Sequence, residues 1–348
     1  MPGMFMLEPR IRPNDSQLPF QSAKVDTEAS MPHPPTTKTT IPTAKPGKRT
    51  SPLPNPPDVV SPIWLVRAIV LTIVAALFCG YLTLCLLFYQ GQWQLVLHPT
   101  RTAASPTSIA GVPYELIRFG PDESATPQLT GWWIPSEPGG RYAHTTILFL
   151  ADGNGSLRDS IPILASLHNL GINVFAFDYR GYGQSAATRP NQESMTQDTD
   201  SAWQYLTTSR GIPAQHIVPY GTGVATSLAA RLAAIHNTIP ALILDSPRAD
   251  LLDVARHDPR AKLIPVRLLF HERFPLAEPL STLRTPKLLL SRATSLDQTF
   301  LTAANPKLTV ELATPSAVLY NQSLARFLDL YFPPAPVPAL VPSPAPAR

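Results

Sequence analysis

His216-Ile217-Val218-Pro219-Tyr220-Gly221-Thr222-Gly223-Val224-Ala225-Thr226-Ser227-Leu228 is the stretch on which the reading of this chain turns. A short apolar run rich in β-formers ends at two glycines one residue apart, and the chain then continues in helix-forming residues to Ile235. Strand residues followed by a glycine turn and then a helix predict a tight strand-to-helix corner, because glycine tolerates positive φ and close backbone approach. Pro219 is unusual in this setting, since it removes a ladder donor from what should be an interior strand.

Working outward, the same alternation recurs. Short apolar runs predict strands at Tyr114–Phe119, Leu129–Ile134, Thr145–Ala151, Asn173–Phe177, His216–Tyr220, Ala241–Asp245, Lys287–Ser291 and Thr309–Ala313. Amphipathic stretches predict helices at Arg158–Asn169, Ser194–Ser209, Val224–Ile235 and Asn321–Tyr331. Strands and helices that alternate at these lengths imply an α/β fold, a mainly parallel central sheet with helices on both faces. This domain occupies residues 91–332.

Two proline-rich stretches bracket the chain. Residues 1–61, with runs such as Ser51-Pro52-Leu53-Pro54-Asn55-Pro56-Pro57, and residues 333–348 hold 20 of the 41 prolines in 77 of the 348 residues. Neither has a helical or strand period, and neither has enough apolar surface to offset the entropy of ordering, so both are expected to be disordered tails. A proline-rich docking motif in the first is the sharper alternative.

Residues 62–90 contain the run from Ala68 to Tyr89, AIVLTIVAALFCGYLTLCLLFY, without a charge. At a rise of ~1.5 Å per residue it covers ~33 Å, enough for the ~30 Å core of a bilayer. Trp64 and Tyr89 stand near its two edges, where amphipathic rings settle. A transmembrane helix is expected, with the lipid bilayer as its partner. A buried core helix is rarely apolar all round for six turns, and a signal peptide has a shorter apolar region followed by a small-residue cleavage site. Within about 20 residues of the run, Lys48, Arg49 and Arg67 lie on its N-terminal side and only Arg101 on the other. That bias predicts a cytoplasmic N-terminus and a domain on the non-cytoplasmic side, periplasmic in a bacterium.

Composition narrows the function classes. The net charge of +4 is small and dispersed, with no basic stripe, which argues against nucleic acid. The two cysteines, Cys79 and Cys85, both fall in the apolar run, so the domain has neither a disulfide framework nor a cysteine metal site. His257-Asp258 and His271-Glu272 are neighbours in sequence and do not share a helix face, so no metal is expected. No phosphate-binding or dinucleotide fingerprint occurs, and no cofactor is expected.

Chemistry in such sheets collects on loops at the carboxyl ends of strands. Ala151-Asp152-Gly153-Asn154-Gly155-Ser156 is one such loop, either a plain turn or one that offers its amides to an anion. Asp178-Tyr179-Arg180-Gly181-Tyr182-Gly183-Gln184-Ser185 is another, long and distinctive. With Gly111-Val112-Pro113-Tyr114-Glu115, Gly131-Trp132-Trp133 and Leu244-Asp245-Ser246-Pro247, it resembles the α/β-hydrolase superfamily. The likeness is strongest to membrane-anchored hydrolase-domain proteins related to serine aminopeptidases and acyl esterases. It runs from about Phe88 to Phe332. In that group the Asp and Arg of the 178–185 loop usually brace the fold.

The resemblance implies a catalytic triad in the order serine, acid, histidine, with the serine inside G-x-S-x-G at the strand-to-helix corner. Here that position is Gly223 and the last glycine is Ala225. The acid position of H-G-x-x-D falls on Ser295, with Asp297 two residues later as a shifted candidate. The histidine position falls near Ser316, and none of the eight histidines follows His271. The H-G-N of the oxyanion loop has become Ala151 or Asp152 followed by Gly153 and Asn154, and Asp152 would bring negative charge to a site meant to stabilise it. Thr222 and Ser227 are the neighbouring hydroxyls, the first turned away by the corner and the second facing packing. The expectation is a membrane-anchored pseudo-hydrolase that lacks the triad and binds a protein partner or small apolar ligand through a remnant pocket at Asp152, Gly153, Asn154, Thr222 and Val224. The alternatives are a serine-type ester, acyl or peptide hydrolase that uses displaced residues such as Asp297, and a purely structural surface protein.

Overall fold

The computed structural model describes residues 61–332, apart from 103, 122–123, 249, 260–261, 293–297 and 313–316. The expected tails therefore lie outside the described residues, but for Ser61.

A mixed eight-stranded sheet organises the domain. Its strands are β1 (Glu115–Pro121), β2 (Pro127–Ile134), β3 (Tyr142–Leu150), β4 (Ile172–Asp178), β5 (Ile217–Thr222), β6 (Leu242–Asp245), β7 (Lys287–Ser291) and β8 (Lys307–Glu311). Their spatial order is β8-β7-β6-β5-β3-β4-β2-β1. β2 is antiparallel to both β1 and β4, and all other pairs are parallel. Every strand expected from the apolar runs is present, most with ends shifted by one to three residues.

The period-two alternation sorts the sheet's side chains into two cores. Leu148, Leu150, Phe175, Phe177, Ile217 and Leu244 face one layer, with α3 (Gln192–Gln204) and α4 (Ala225–Ile235) packed over them. Ile147, Phe149, Val174, Ala176, Val218 and Ile243 face the other, under α2 (Ile161–Asn169) and α9 (Ala317–Tyr331). Both faces of the central strands are thus covered, which is why those strands read as continuous apolar runs.

Pro219 is accommodated by where the ladders begin. It sits opposite Leu148 of β3, while pairing with β6 starts one residue later, at Tyr220. The missing N–H falls where the β6 ladder has not yet started.

Before the domain, α1 (Pro62–Gly91) is capped by Ser61, whose side chain accepts from the Trp64 N–H at 3.3 Å, with Pro62 at its first position. Proline is favoured there because that N–H would have no helical partner. No residue of α1 is buried. Among the described residues it is the one helix long and apolar enough to cross a membrane, its most apolar window having a mean hydropathy of 2.5. A 3-10 turn, Gln92–Leu95, then leads into the domain, where His98–Pro99 pairs with Asn154–Gly155 in a two-residue ladder.

Between β6 and β8 lie four short helices that periodicity did not single out: α5 (Leu252–His257), α6 (Val266–Leu269), α7 (Ala277–Thr282) and α8 (Gln298–Thr302). Each has six residues or fewer, too short to show a period of 3.6.

Candidate functional site

β4 lies on one side of β3 and β5 on the other, so the strand order reverses across β3. The loops after β3 and β5 therefore meet at the carboxyl edge of the sheet, where an open α/β sheet offers a crevice. The loop after β3 carries Asp152, Gly153 and Asn154, and the corner after β5 carries Gly223 and Val224.

The corner has the geometry expected of its glycines. A Cβ on Gly221 would lie 2.5 Å from the Ala225 carbonyl oxygen and 2.8 Å from Thr226 Cα, so strand and helix pass too close for any side chain. Gly223 has φ +54°, the left-handed conformation that a nucleophile at such an elbow must also adopt. Both of its backbone polar groups are engaged. The Gly223 N–H donates to the Asp245 carbonyl at 3.1 Å, and its own carbonyl accepts from Arg248 N–H at 3.1 Å and Thr226 Oγ1 at 2.7 Å.

The place where a serine side chain would stand is taken. A Cβ built on Gly223 would collide with the Asp152 carboxyl group. Asp152 Oδ1 accepts from the Val224 N–H at 3.1 Å and from the Gly153 N–H at 2.7 Å. Its other oxygen accepts from Asn154 Nδ2 at 3.0 Å, and Arg248 Nη2 lies 3.3 Å from Oδ1. The N–H after the nucleophile position and an N–H from the loop after the third strand are the two donors that cradle an oxyanion in hydrolases of this architecture. Here the chain's own carboxylate accepts from both, as an internal anion. The Arg248–Asp152 ion pair, with side chains 39% and 29% exposed, adds little beyond this geometry.

The other hydroxyls named in the sequence are committed elsewhere. Thr222 Oγ1 points to the Leu150 carbonyl at 3.3 Å, and Ser227 Oγ donates to the Pro275 carbonyl at 2.6 Å. Ser295, Asp297 and Ser316 lie outside the described residues. Among those described, no group of three His, Cys, Asp or Glu side chains could hold a metal ion.

A second carboxylate lies beside the corner. Asp245, 2% exposed at the end of β6, accepts from Arg292 Nε at 3.1 Å, Arg292 Nη2 at 2.8 Å, Tyr220 Oη at 2.9 Å and Ser246 Oγ at 2.7 Å. Four donors saturate a carboxylate's lone pairs, so Asp245 is spent as a structural anion. Tyr220 also bonds Tyr320 through their hydroxyls at 2.8 Å. Hydrogen bonding to Asp245 raises the Arg292 guanidinium still higher, and burial raises both phenols well above their ordinary range. All three groups keep one protonation state at neutral pH and are unsuited to acid–base work.

The 178–185 loop braces the fold. Asp178 Oδ1 accepts the Leu157 N–H at 2.8 Å, and Asp198 takes the Arg180 N–H at 2.8 Å and its Nε at 2.6 Å. Burial raises both carboxyls to about 6. Two residues at the site escaped the sequence reading. Arg248 follows the Asp245-Ser246-Pro247 turn, and a basic residue just past a strand end was the available signal. His98 reaches Asn154 Oδ1 at 2.9 Å from the segment that leaves α1. Nothing local marks it, because its partner is 56 residues away.

No protein-family model matches the chain. An uncharacterized protein of Mycobacterium tuberculosis is 29% identical over 188 residues, 52% of this chain and 64% of that protein. Alpha/beta hydrolase domain-containing protein 17B of Xenopus laevis is 31% identical over 121 residues, 35% of this chain and 39% of its own length. The alignments thus span less than two thirds of these curated relatives. Among solved structures, an esterase of Pyrococcus furiosus aligns with a TM-score of 0.53 at 17% identity, over 68% of this chain and 98% of that one. At that identity the likeness is one of fold. Sequence relatives and fold together support assignment to the α/β-hydrolase superfamily.

Proposed function

From the premise that this chain has the α/β-hydrolase fold, we propose that it is a non-catalytic member, anchored in a membrane by α1, that binds a protein partner or a small apolar ligand. The observation that carries this reading is the Asp152 carboxylate seated on the Val224 and Gly153 amides above a glycine. Acyl transfer needs a nucleophile, a base and free donors for the oxyanion. Gly223 brings no nucleophile, and the charge that would develop on a substrate oxygen competes with a carboxylate already in place. The absence of any histidine after His271 supports the same reading, since the family's base arrives from the last strand's loop. The charge bias of Lys48, Arg49 and Arg67 against Arg101 supports a single pass with the domain on the non-cytoplasmic side.

A serine-directed fluorophosphonate probe tests the catalytic half. The full chain stays at the labelling level of its heat-denatured control, and Gly223→Ser alone leaves it there, because no histidine follows His271 to act as the new serine's base. Specific labelling that disappears when one serine of the domain is replaced overturns the reading in favour of a serine hydrolase with displaced residues. A ligand-dependent rise in the melting temperature of the full chain separates a binding role from a purely structural one.

A further inference from the structure

The end of α1 and the 3-10 turn that follows it are lashed to the domain. Gln92 Nε2 donates to the Leu269 carbonyl at 3.2 Å, and Gln92 Oε1 accepts the His271 N–H at 2.6 Å. The ring of His271 meets that of Tyr89 edge-on at 5.2 Å. Leu84, Leu87, Phe88 and Leu95 line a 210 Å³ cavity together with Ile264. The segment that runs from Lys262 through α6 is therefore held against the end of the apolar run. At ~1.5 Å per residue, Leu84 stands only ~8 Å before Tyr89, where that run ends. Ile264 thus packs at the depth of the final turns of the span.

The other side of this segment is bare. Leu263 and Leu268 are 76% and 75% exposed, more than any large apolar side chain of α1, where Leu71 reaches 70%. Single exposed leucines are ordinary on a soluble surface. Two in one segment, tied to the end of a membrane-length helix, are what an interface contact requires. The charge of the segment agrees. Lys262, Arg267 and Arg273 lie in or beside it, whereas the neighbouring acid, Glu272, is buried and spends its carboxylate on the Gln192 N–H at 2.6 Å.

We propose that residues 262–269 form a second membrane contact. Leu263 and Leu268 enter the boundary between headgroups and acyl chains of the leaflet from which α1 emerges, and Lys262, Arg267 and Arg273 meet anionic headgroups. The proposal rests on reading α1 as a span. Its consequence is a fixed attitude: the domain is held at two points rather than swinging on one. The strap between α1 and the domain ends at the candidate site, where Arg248 Nη2 donates to the Val96 carbonyl at 3.1 Å and His98 N–H to the Gly153 carbonyl at 2.8 Å.

The test uses the full chain in phosphatidylcholine vesicles, with and without phosphatidylglycerol. Leu263→Cys, Leu268→Cys and, as control, Leu330→Cys on α9 are made in a Cys79→Ser, Cys85→Ser background and labelled with an environment-sensitive fluorophore. Leu330 is 66% exposed and belongs to the helix layer on the opposite face of the sheet, so labelling there is equally mild. Lipid-borne nitroxide is expected to quench the probes at 263 and 268 at least about twofold more than the probe at 330, more strongly with the anionic lipid. Aqueous iodide is expected to do the reverse. Probes at 263 and 268 that behave like the probe at 330 overturn the proposal. A probe on native Cys79 then distinguishes the two failures: lipid quenching there leaves the span standing, and aqueous quenching removes the span as well.

Discussion

At the scale of single residues, the decisive pair is Gly223 and Asp152. Each permits the other. The glycine leaves the volume that the carboxylate fills, and the carboxylate accepts from the Val224 and Gly153 amides. Gly223→Ala on its own therefore suffers twice, once from a side chain at φ +54° and once from displacement of Asp152. In an Asp152→Ala background only the first cost remains. A double-mutant cycle on the thermal unfolding of the full chain in detergent should return a coupling of about 1–3 kcal/mol, with the double variant more stable than the sum of the singles. Strict additivity would mean that the two residues do not share that space. Half of this pair was legible in the sequence. Gly223 stands out because a known motif has serine there, and Asp152 was readable as a charge out of place. That the carboxylate turns inward to accept from Val224 was not legible, since the contact joins residues 72 apart through a loop conformation.

At the scale of elements, the sheet was readable because its interior strands are buried on both faces and so form short unbroken apolar runs, as in Ile147 to Leu150 and Val174 to Phe177. The connections were less so. Helices α5 to α8 are too short for periodicity, and the final turn of α3 continues as a π-helical turn, Tyr205–Ser209, that no propensity announces. The pairing of β6 with the loop after β7 through Asp245 and Arg292 was also hidden, because it depends on strand order rather than on spacing. That pairing makes its own prediction. Asp245 is nearly fully buried, so loss of its cation leaves a desolvated carboxylate with only the Tyr220 and Ser246 hydroxyls. Arg292→Met should destabilise the full chain by about 1–3 kcal/mol, the guanidinium's partial exposure holding the cost below that of a wholly buried pair. Arg292→Met combined with Asp245→Asn should recover part of that loss in chemical denaturation. A double variant as unstable as the sum of its parts would show that the two residues act independently.

At the scale of the whole molecule, the acids most removed from solvent set how stability depends on pH. Asp178 and Asp198 are 6% and 2% exposed, and burial lifts both to about 6 against an ordinary value of 3.8. Glu272 is raised by burial as well, while the Tyr142 hydroxyl and Arg141 hold the exposed Asp329 below its ordinary value. Between about pH 4 and 6 the folded chain keeps protons on Asp178 and Asp198 that the unfolded chain has already released. Stability from this source is complete below the unfolded values and is lost as pH rises through about 6, the opposite of the usual ion-paired carboxylate. Asp329 works the other way and only at the acid end. Taking the domain from pH 7 to pH 5 should therefore raise its unfolding free energy by about 1–3 kcal/mol. Asp178→Asn should flatten that slope by roughly half, whatever it does to the absolute stability, because the amide cannot take up the proton. The measurement is urea denaturation across pH 5 to 7 for the wild type and the variant. A wild-type slope of the opposite sign would mean that Asp178 and Asp198 are ionised without penalty, and that the bracing of the 178–185 loop is paid in full by Arg180 and the Leu157 amide.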